Sequence, residues 1–262
     1  MKRVILFRFH KAVDVCEDRV KLLRQFNPTV EIYGLFGGKE SEFNGVREAL
    51  RPCLENIYCI RGKSSYWKRV HGDLAMRLWY QDIGKTLAFD TLHCVEWDLL
   101  LFGSLEEIFG HIPEDGVGLT SLTPLRNVEK DWYWLSRWAL RRQWRRLLGV
   151  AKARYGYQQE PFACEFPGAC VPRGFLEEYS KAEIPEVCHD ELRMPLFSQI
   201  FELKLYNTGF RENRFNALEA RFFNCDNREV RLSTMAEELV KQAGRRAFHP
   251  VRKVLPPGLR PL

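Results

Sequence analysis

Glu96-Trp97-Asp98 is the stretch whose residue types and spacing could do chemistry. Its two carboxylates stand either side of a tryptophan, inside the largely apolar run Leu92 to Leu105. In extended chain, residues two apart project to the same side, so Glu96 and Asp98 are expected to face together and Trp97 to face away. Two ionised carboxylates in apolar surroundings repel each other and are costly to desolvate. A divalent cation relieves both costs, and hard oxygen ligands on a short spacer suit one. If the strand instead ends at Val95, both carboxylates sit in water.

The elements that must position this pair can be read in order. Arg3 to Phe9 reads as a strand, Val13 to Phe26 as a helix ended by Asn27-Pro28, and Val30 to Phe36 as a second strand closed by Gly37-Gly38. Such a β-α-β opening implies parallel strands with a right-handed crossover. Val46 to Leu54 is expected as a helix, Ile57 to Ile60 as a strand, and Tyr66 to Asp82 as one helix leading to the acid-x-acid strand. Further on, Leu105 to Phe109 reads as a helix, Gly116 to Ser121 as a strand and Phe162 to Val171 as another. A helix starts after Pro172, one opens at Cys188-His189-Asp190-Glu191, a strand spans Lys204 to Tyr206, and Met235 to Ala243 is a last helix. By themselves Asp190 makes an ordinary N-cap and Glu191 complements the helix dipole.

The segment 131–157 departs from this alternation. Leu140, Trp144, Leu147, Leu148 and Ala151 share one helical face, and Arg141, Arg142, Arg145 and Arg146 the opposite one. Such a helix packs its stripe on its own domain with solvated arginines, or lies on an anionic membrane surface. The latter would give peripheral contact through 137–154.

With 45% hydrophobic and 13% aromatic residues the chain can bury a sizeable core, which excludes a disordered protein. A formal charge of +6 suits a phosphate-bearing substrate or an anionic surface without demanding nucleic acid, and no nucleic-acid partner is expected. No run approaches about 18 apolar residues, so neither signal peptide nor membrane span is expected and the reading is cytoplasmic, with room for peripheral attachment at the inner membrane surface. The eight cysteines contain no Cys-x-x-Cys pair and are expected reduced, with Cys16, Cys59, Cys94 and Cys170 as core residues.

An apolar strand ending in acid-x-acid and followed by Leu-Leu-Leu-Phe-Gly-Ser-Leu resembles the GT-A fold glycosyltransferases that use nucleotide sugars. The β-α-β start, Pro167-Gly168-Ala169, the His-Asp-Glu helix and the late His249-Pro250 follow in the order such enzymes have them. The resemblance implies a GT-A-like, Rossmann-related α/β fold: a mixed, mostly parallel sheet flanked by helices, with 1–250 as one catalytic domain, 131–157 as a basic helical insertion and 251–262 as a basic Pro-rich tail. It implies that Glu96 and Asp98 hold Mn²⁺ or Mg²⁺ against the diphosphate of a nucleoside-diphosphate sugar, with His249 completing the metal site. Glutamate stands where the family's signature begins with aspartate.

The resemblance further implies that Arg8, His10 and Lys11 meet the base and ribose, that Lys68, His71 and Asp73 lie near the donor, and that Asp90 reaches a ribose or sugar hydroxyl. Arg246, Arg252 and Lys253 would fold over the diphosphate. In an inverting enzyme Asp190 or Glu191 would deprotonate the acceptor hydroxyl, whereas a retaining enzyme needs no such base. The acceptor would be a saccharide or a lipid-linked one. The alternatives are a catalytically inactive GT-A-like protein that binds nucleotide, and a module for an anionic surface built on 137–154. A nucleotidyltransferase of related fold is a further option, but no glycine-rich, lysine-bearing loop follows the first strand.

Overall fold

Strand β1 (Arg3–Phe9) buries Val4, Ile5, Leu6 and Phe7 consecutively, as a strand covered on both faces must. In the computed structural model, which describes residues 1–226 and 228–259, it is followed by α1 (Val13–Phe26), β2 (Glu31–Phe36), α2 (Phe43–Leu50) and β3 (Ile57–Cys59). The stretch expected as one helix before the acid-x-acid strand forms two. Helix α3 (Ser65–Val70) is capped by Ser64 Oγ, which accepts from Trp67 N at 3.1 Å, and α4 (Gly72–Asp82) restarts beyond His71. The break has a packing cause: a Cβ at position 72 would lie 2.7 Å from Phe166 Cε1 and 2.9 Å from Asp190 Oδ2. Only glycine admits that approach.

Next come β4 (Thr91–Glu96), β5 (Leu100–Leu101), α5 (Leu105–Phe109) and β6 (Val117–Pro124). The segment read as a helical insertion holds α6 (Tyr133–Ser136) and α7 (Trp138–Tyr155), separated at Arg137. The rest comprises β7 (Phe162–Pro172), α8 (Arg173–Lys181), α9 (Asp190–Ile200), β8 (Leu205–Asn207), α10 (Leu232–Leu239) and β9 (Ala247–Phe248).

Seven strands form one mixed sheet in the order β3-β2-β1-β4-β7-β6-β8. The pairs β3–β2, β2–β1, β1–β4 and β6–β8 are parallel, and β7 runs antiparallel to both its neighbours. Helices flank both faces, with Leu6, Trp79 and Phe197 in one core cluster and Phe7, Val20 and Phe109 in another. Two features position the site. The β1–β4 register sets Arg8 beside Glu96 at the carboxyl ends of both strands. The short pair β5–β9 brings Leu100 opposite Phe248, so the residues after β9 return to the end of β4.

Residues 251–255 are not loose: Val251 and Leu255 are buried against Leu22 of α1, and Arg19 Nη2 donates to Val251 O at 3.0 Å and Lys253 O at 2.7 Å. Helix α7 packs Trp144, Leu147 and Ala151 on its own domain and leaves Arg141, Arg142, Arg145 and Arg146 exposed. Among the described residues no helix is long and apolar enough to cross a membrane.

Candidate metal and transfer site

A cleft of about 1080 Å³ opens at the carboxyl ends of β1 and β4. Its floor holds Glu96, Asp98 and His249, whose ligand atoms all lie within 4.8 Å of one another. The carboxylates do not converge by strand alternation, as expected from the sequence. Strand β4 ends at Glu96, and a turn closed by Leu99 N donating to Glu96 O at 2.9 Å swings Asp98 round. Trp97 consequently lines the cleft too, with Lys11 Nζ 5.2 Å from its ring centre. Asp98 is tied to the C-terminal strand by Val251 N, which donates to its carbonyl at 2.8 Å.

The electrostatics of this floor are set by two buried carboxylates and the cations that face them. Burial pushes the Glu96 carboxyl up, against the opposing pull of its ion-pair partner Arg8. Burial would also raise Asp98, but the facing His249 and Arg252 outweigh it and hold the carboxyl at about 2. Burial would lower the His249 imidazole, yet Asp98 keeps it above its ordinary value. Asp98 Oδ2 lies 3.2 Å from Arg252 Nε, while Oδ1, buried and 3.4 Å from His249 Nε2, accepts no hydrogen bond of normal geometry. The other nitrogen, His249 Nδ1, is 2.7 Å from Asn224 O. Because a carbonyl only accepts, Nδ1 carries hydrogen and Nε2 is left to take either a proton or a metal. Two carboxylates and one imidazole at this spacing fit a divalent ion.

Of the residues expected near a donor, Arg8, His10 and Lys68 line this cleft. Arg8 bridges Glu96 and the carbonyl of Lys68, and Lys68 Nζ donates to Gly38 O at 2.9 Å, joining β1, α3 and the turn after β2. His10 packs edge-on to Trp97 at 5.5 Å, and burial, Lys11 and Arg8 lower its pKa to about 4.

The opposite wall carries both acids at the start of α9, and their surroundings differ. Asp190 Oδ2 accepts from Gly72 N at 2.8 Å and Oδ1 from Glu191 N at 2.9 Å. Burial would raise this carboxyl, but His189 first, then Arg8 and Arg193, hold it below the ordinary range. Burial pushes Glu191 up to about 7, against His189 and Arg214, and its Oε2 accepts from Trp134 Nε1 at 2.8 Å.

Five expected residues are placed elsewhere, the first being His71, buried with its Nδ1 3.0 Å from Arg193 Nη2. Asp73 is fully buried under the sheet, gripped by Arg193 Nε at 2.6 Å and by the Tyr179 hydroxyl, so it balances a core guanidinium. Asp90 sits at the opposite end of β4, where Oδ2 accepts from Lys2 N at 2.6 Å. Arg246 donates to the carbonyls of Lys241 (2.9 Å) and Gly244 (3.0 Å), closing the turn after α10. Lys253 points to solvent, 3.6 Å from Glu229. Among the described residues, Arg252, between the last two, is the cation of this tail that reaches the floor.

The sequence reading passed over an aromatic wall: Trp132, Tyr133 and Trp134 line the cleft together with His189, whose ring stacks on Trp134 at 3.7 Å. The signal was the Trp-Tyr-Trp run itself, absorbed into a supposed helix. Arg214 stands over Trp132 at 4.7 Å and was likewise missed, since it lies in a stretch without regular structure.

No family model and no curated protein matches the chain. Among solved structures it is similar to the galactosyltransferase LgtC in complex with donor and acceptor sugar analogues, at 14% identity and a TM-score of 0.40. An active-site mutant of LgtC gives 14% identity and 0.38. Both alignments cover 78% of this chain and 66% of LgtC, so the chain spans just under two thirds of that protein. It is also similar to 4-diphosphocytidyl-2C-methyl-D-erythritol synthase from Anaerococcus prevotii, at 12% identity over 79% of this chain and 89% of that one, with a TM-score of 0.42. At these identities and scores the likenesses carry nothing about reaction or substrate.

Proposed function

We propose that the chain is a metal-dependent glycosyltransferase that moves a sugar from a nucleoside diphosphate to an acceptor hydroxyl. The observation that supports it best is the facing of two unlike groups across one cleft: the Glu96, Asp98 and His249 cluster on the floor, and Glu191, held near neutrality, on the opposite wall. Bound at the cluster, a divalent ion would neutralise charge growing on the departing diphosphate.

The chain's own residues supply the rest. Arg8, Lys68 and Arg252 line the floor as fixed cations for phosphate oxygens, and His10 with Trp97 offers a flat surface for a base. The acceptor oxygen forms a bond to the anomeric carbon, the bond from that carbon to the diphosphate oxygen breaks, and the diphosphate leaves with the electron pair. Glu191 takes the acceptor proton; a carboxylate near pH 7 is matched to that task. Asp190, bonded by Gly72 N and Glu191 N and 2.7 Å from His189 Nδ1, holds α4 against α9 instead. The outward arginines of α7 would rest against an anionic membrane surface.

The test is thermal unfolding across a panel of nucleotide sugars, with and without Mn²⁺, on wild type and Asp98→Asn. Stabilisation that needs metal and one donor together, and vanishes in the variant, supports the reading. Donor binding that ignores both metal and Asp98 would overturn it.

A further inference from the structure

Arg214 carries a charge that no side-chain hydrogen bond among the described residues takes up. Its guanidinium lies over the Trp132 ring at 4.7 Å and lines the cleft, yet it donates no hydrogen bond among the described residues. The carboxylate beside it, Glu165, is 4.0 Å away and already taken: Arg211 Nη1 donates to Oε1 at 2.9 Å and Ser121 Oγ to Oε2 at 2.7 Å. Arg211 also fixes the backbone here by donating to the carbonyl of Arg214. Two guanidiniums thus meet one buried carboxylate, and the surplus one faces the cleft.

A cation stacked on an indole is held flat and stripped of water on one side, which strengthens its pairing with an incoming anion. The surrounding wall offers flat aromatic faces: Trp134 and His189 stack at 3.7 Å, Tyr133 is half exposed, and Glu191 is bonded to Trp134 Nε1. We infer that Arg214, Trp132 and Trp134 form a subsite for a saccharide carrying an anionic substituent, a carboxylate or a phosphate monoester. The assignment of this saccharide as the acceptor rests on the proposed function, because the subsite adjoins Glu191; the anionic selectivity does not.

Saturation-transfer NMR on the full chain, with glucuronate, glucose 6-phosphate and glucose as probes, tests the subsite directly. Wild type is expected to bind one or both charged sugars about tenfold more tightly than glucose, the size of one charge-assisted hydrogen bond. Comparing the two charged probes tells carboxylate from phosphate. Arg214→Gln should lose the preference while still binding glucose, and Arg214→Lys should recover part of it. Trp132→Phe should weaken all three sugars. Equal binding of charged and neutral sugars, binding of none, or a preference that survives Arg214→Gln overturns the inference. Mn²⁺-dependent binding of UDP or GDP, measured on the same variants, tells the two proposals apart. If it persists in Arg214→Gln while the sugars show no selectivity, only the subsite is lost. If it is absent from wild type while the selectivity holds, only the transfer reaction is.

Discussion

Asp98 Oδ1 and His249 Nε2 stand 3.4 Å apart, delivered by a turn after β4 and by the strand pair β5–β9. Without metal this is an ion pair. Because the folded pKa of His249 is raised, its stabilising effect is complete below the unfolded value of about 6.5 and fades as pH rises through the folded one. Metal must displace the same proton, so Mn²⁺ affinity should fall as the solution is acidified through that range. At a hundredfold excess over its Kd the ion should raise the melting temperature by roughly 5–10 °C. His249→Ala should remove most of that rise. A variant with undiminished Mn²⁺ stabilisation would show that the imidazole is no ligand.

Glu191 gives the clearest pH signature. Its folded pKa is raised to about 7, so the protonated acid favours the fold and stability should decline as pH climbs from the usual carboxyl range to about 7. The loss is on the order of 3 kcal/mol. Glu191→Gln keeps an acceptor for Trp134 Nε1 and should abolish the decline, measured by urea unfolding at about pH 5 and pH 8. Transfer activity should rise through about pH 7 in wild type and drop by roughly 10²–10⁴ in the variant. Unchanged turnover in Glu191→Gln would end its candidacy as base.

Asp73 should behave as a structural acid. Removing its charge leaves Arg193 buried without its partner, so Asp73→Asn is expected to cost about 3–5 kcal/mol of stability. Nucleotide affinity of the fraction that remains folded should be unaltered. A large fall in affinity with normal unfolding would restore the donor role read from the sequence.

Helix α7 has six cationic residues and no acid between Trp138 and Tyr155, and Trp138 is 73% exposed at its start. Vesicles containing anionic lipid should therefore retain the protein in sedimentation, and about 0.5 M salt should release it. Arg142→Glu with Arg145→Glu and Arg146→Glu should abolish retention and leave activity on a soluble acceptor intact. Equal retention on neutral vesicles would dismiss the contact.

Much of the architecture was legible because buried strands announce themselves. The β1 and β4 runs are mostly apolar and almost wholly buried, and the first helix carries its stripe and its Asn-Pro stop. What escaped depended on distance in space. Nothing local reveals that Asp73 meets Arg193, or that Gly72 breaks a helix because Phe166 and Asp190 press against it. Glu96, Asp98 and His249 were identifiable by residue type, but the neighbour of His249 that reaches them, Arg252 and not Lys253, is decided by which way the chain faces after β9. The Trp132 to Trp134 wall was masked because aromatic residues beside an arginine-rich helix read equally well as its packing stripe.

Strand β9 also sets a timetable. Glu96 ends the central strand β4 and Asp98 lies in the turn just beyond it, whereas His249 follows Phe248 and is seated only when β9 has paired with β5. A nascent chain that has not yet reached Ala247 can pair β1 with β4 and Arg8 with Glu96 while Asp98 still lacks His249 and Arg252. A divalent ion at this cluster would therefore lose its one nitrogen ligand in a chain interrupted before Ala247, with Glu96 and Asp98 still on the sheet side of the site.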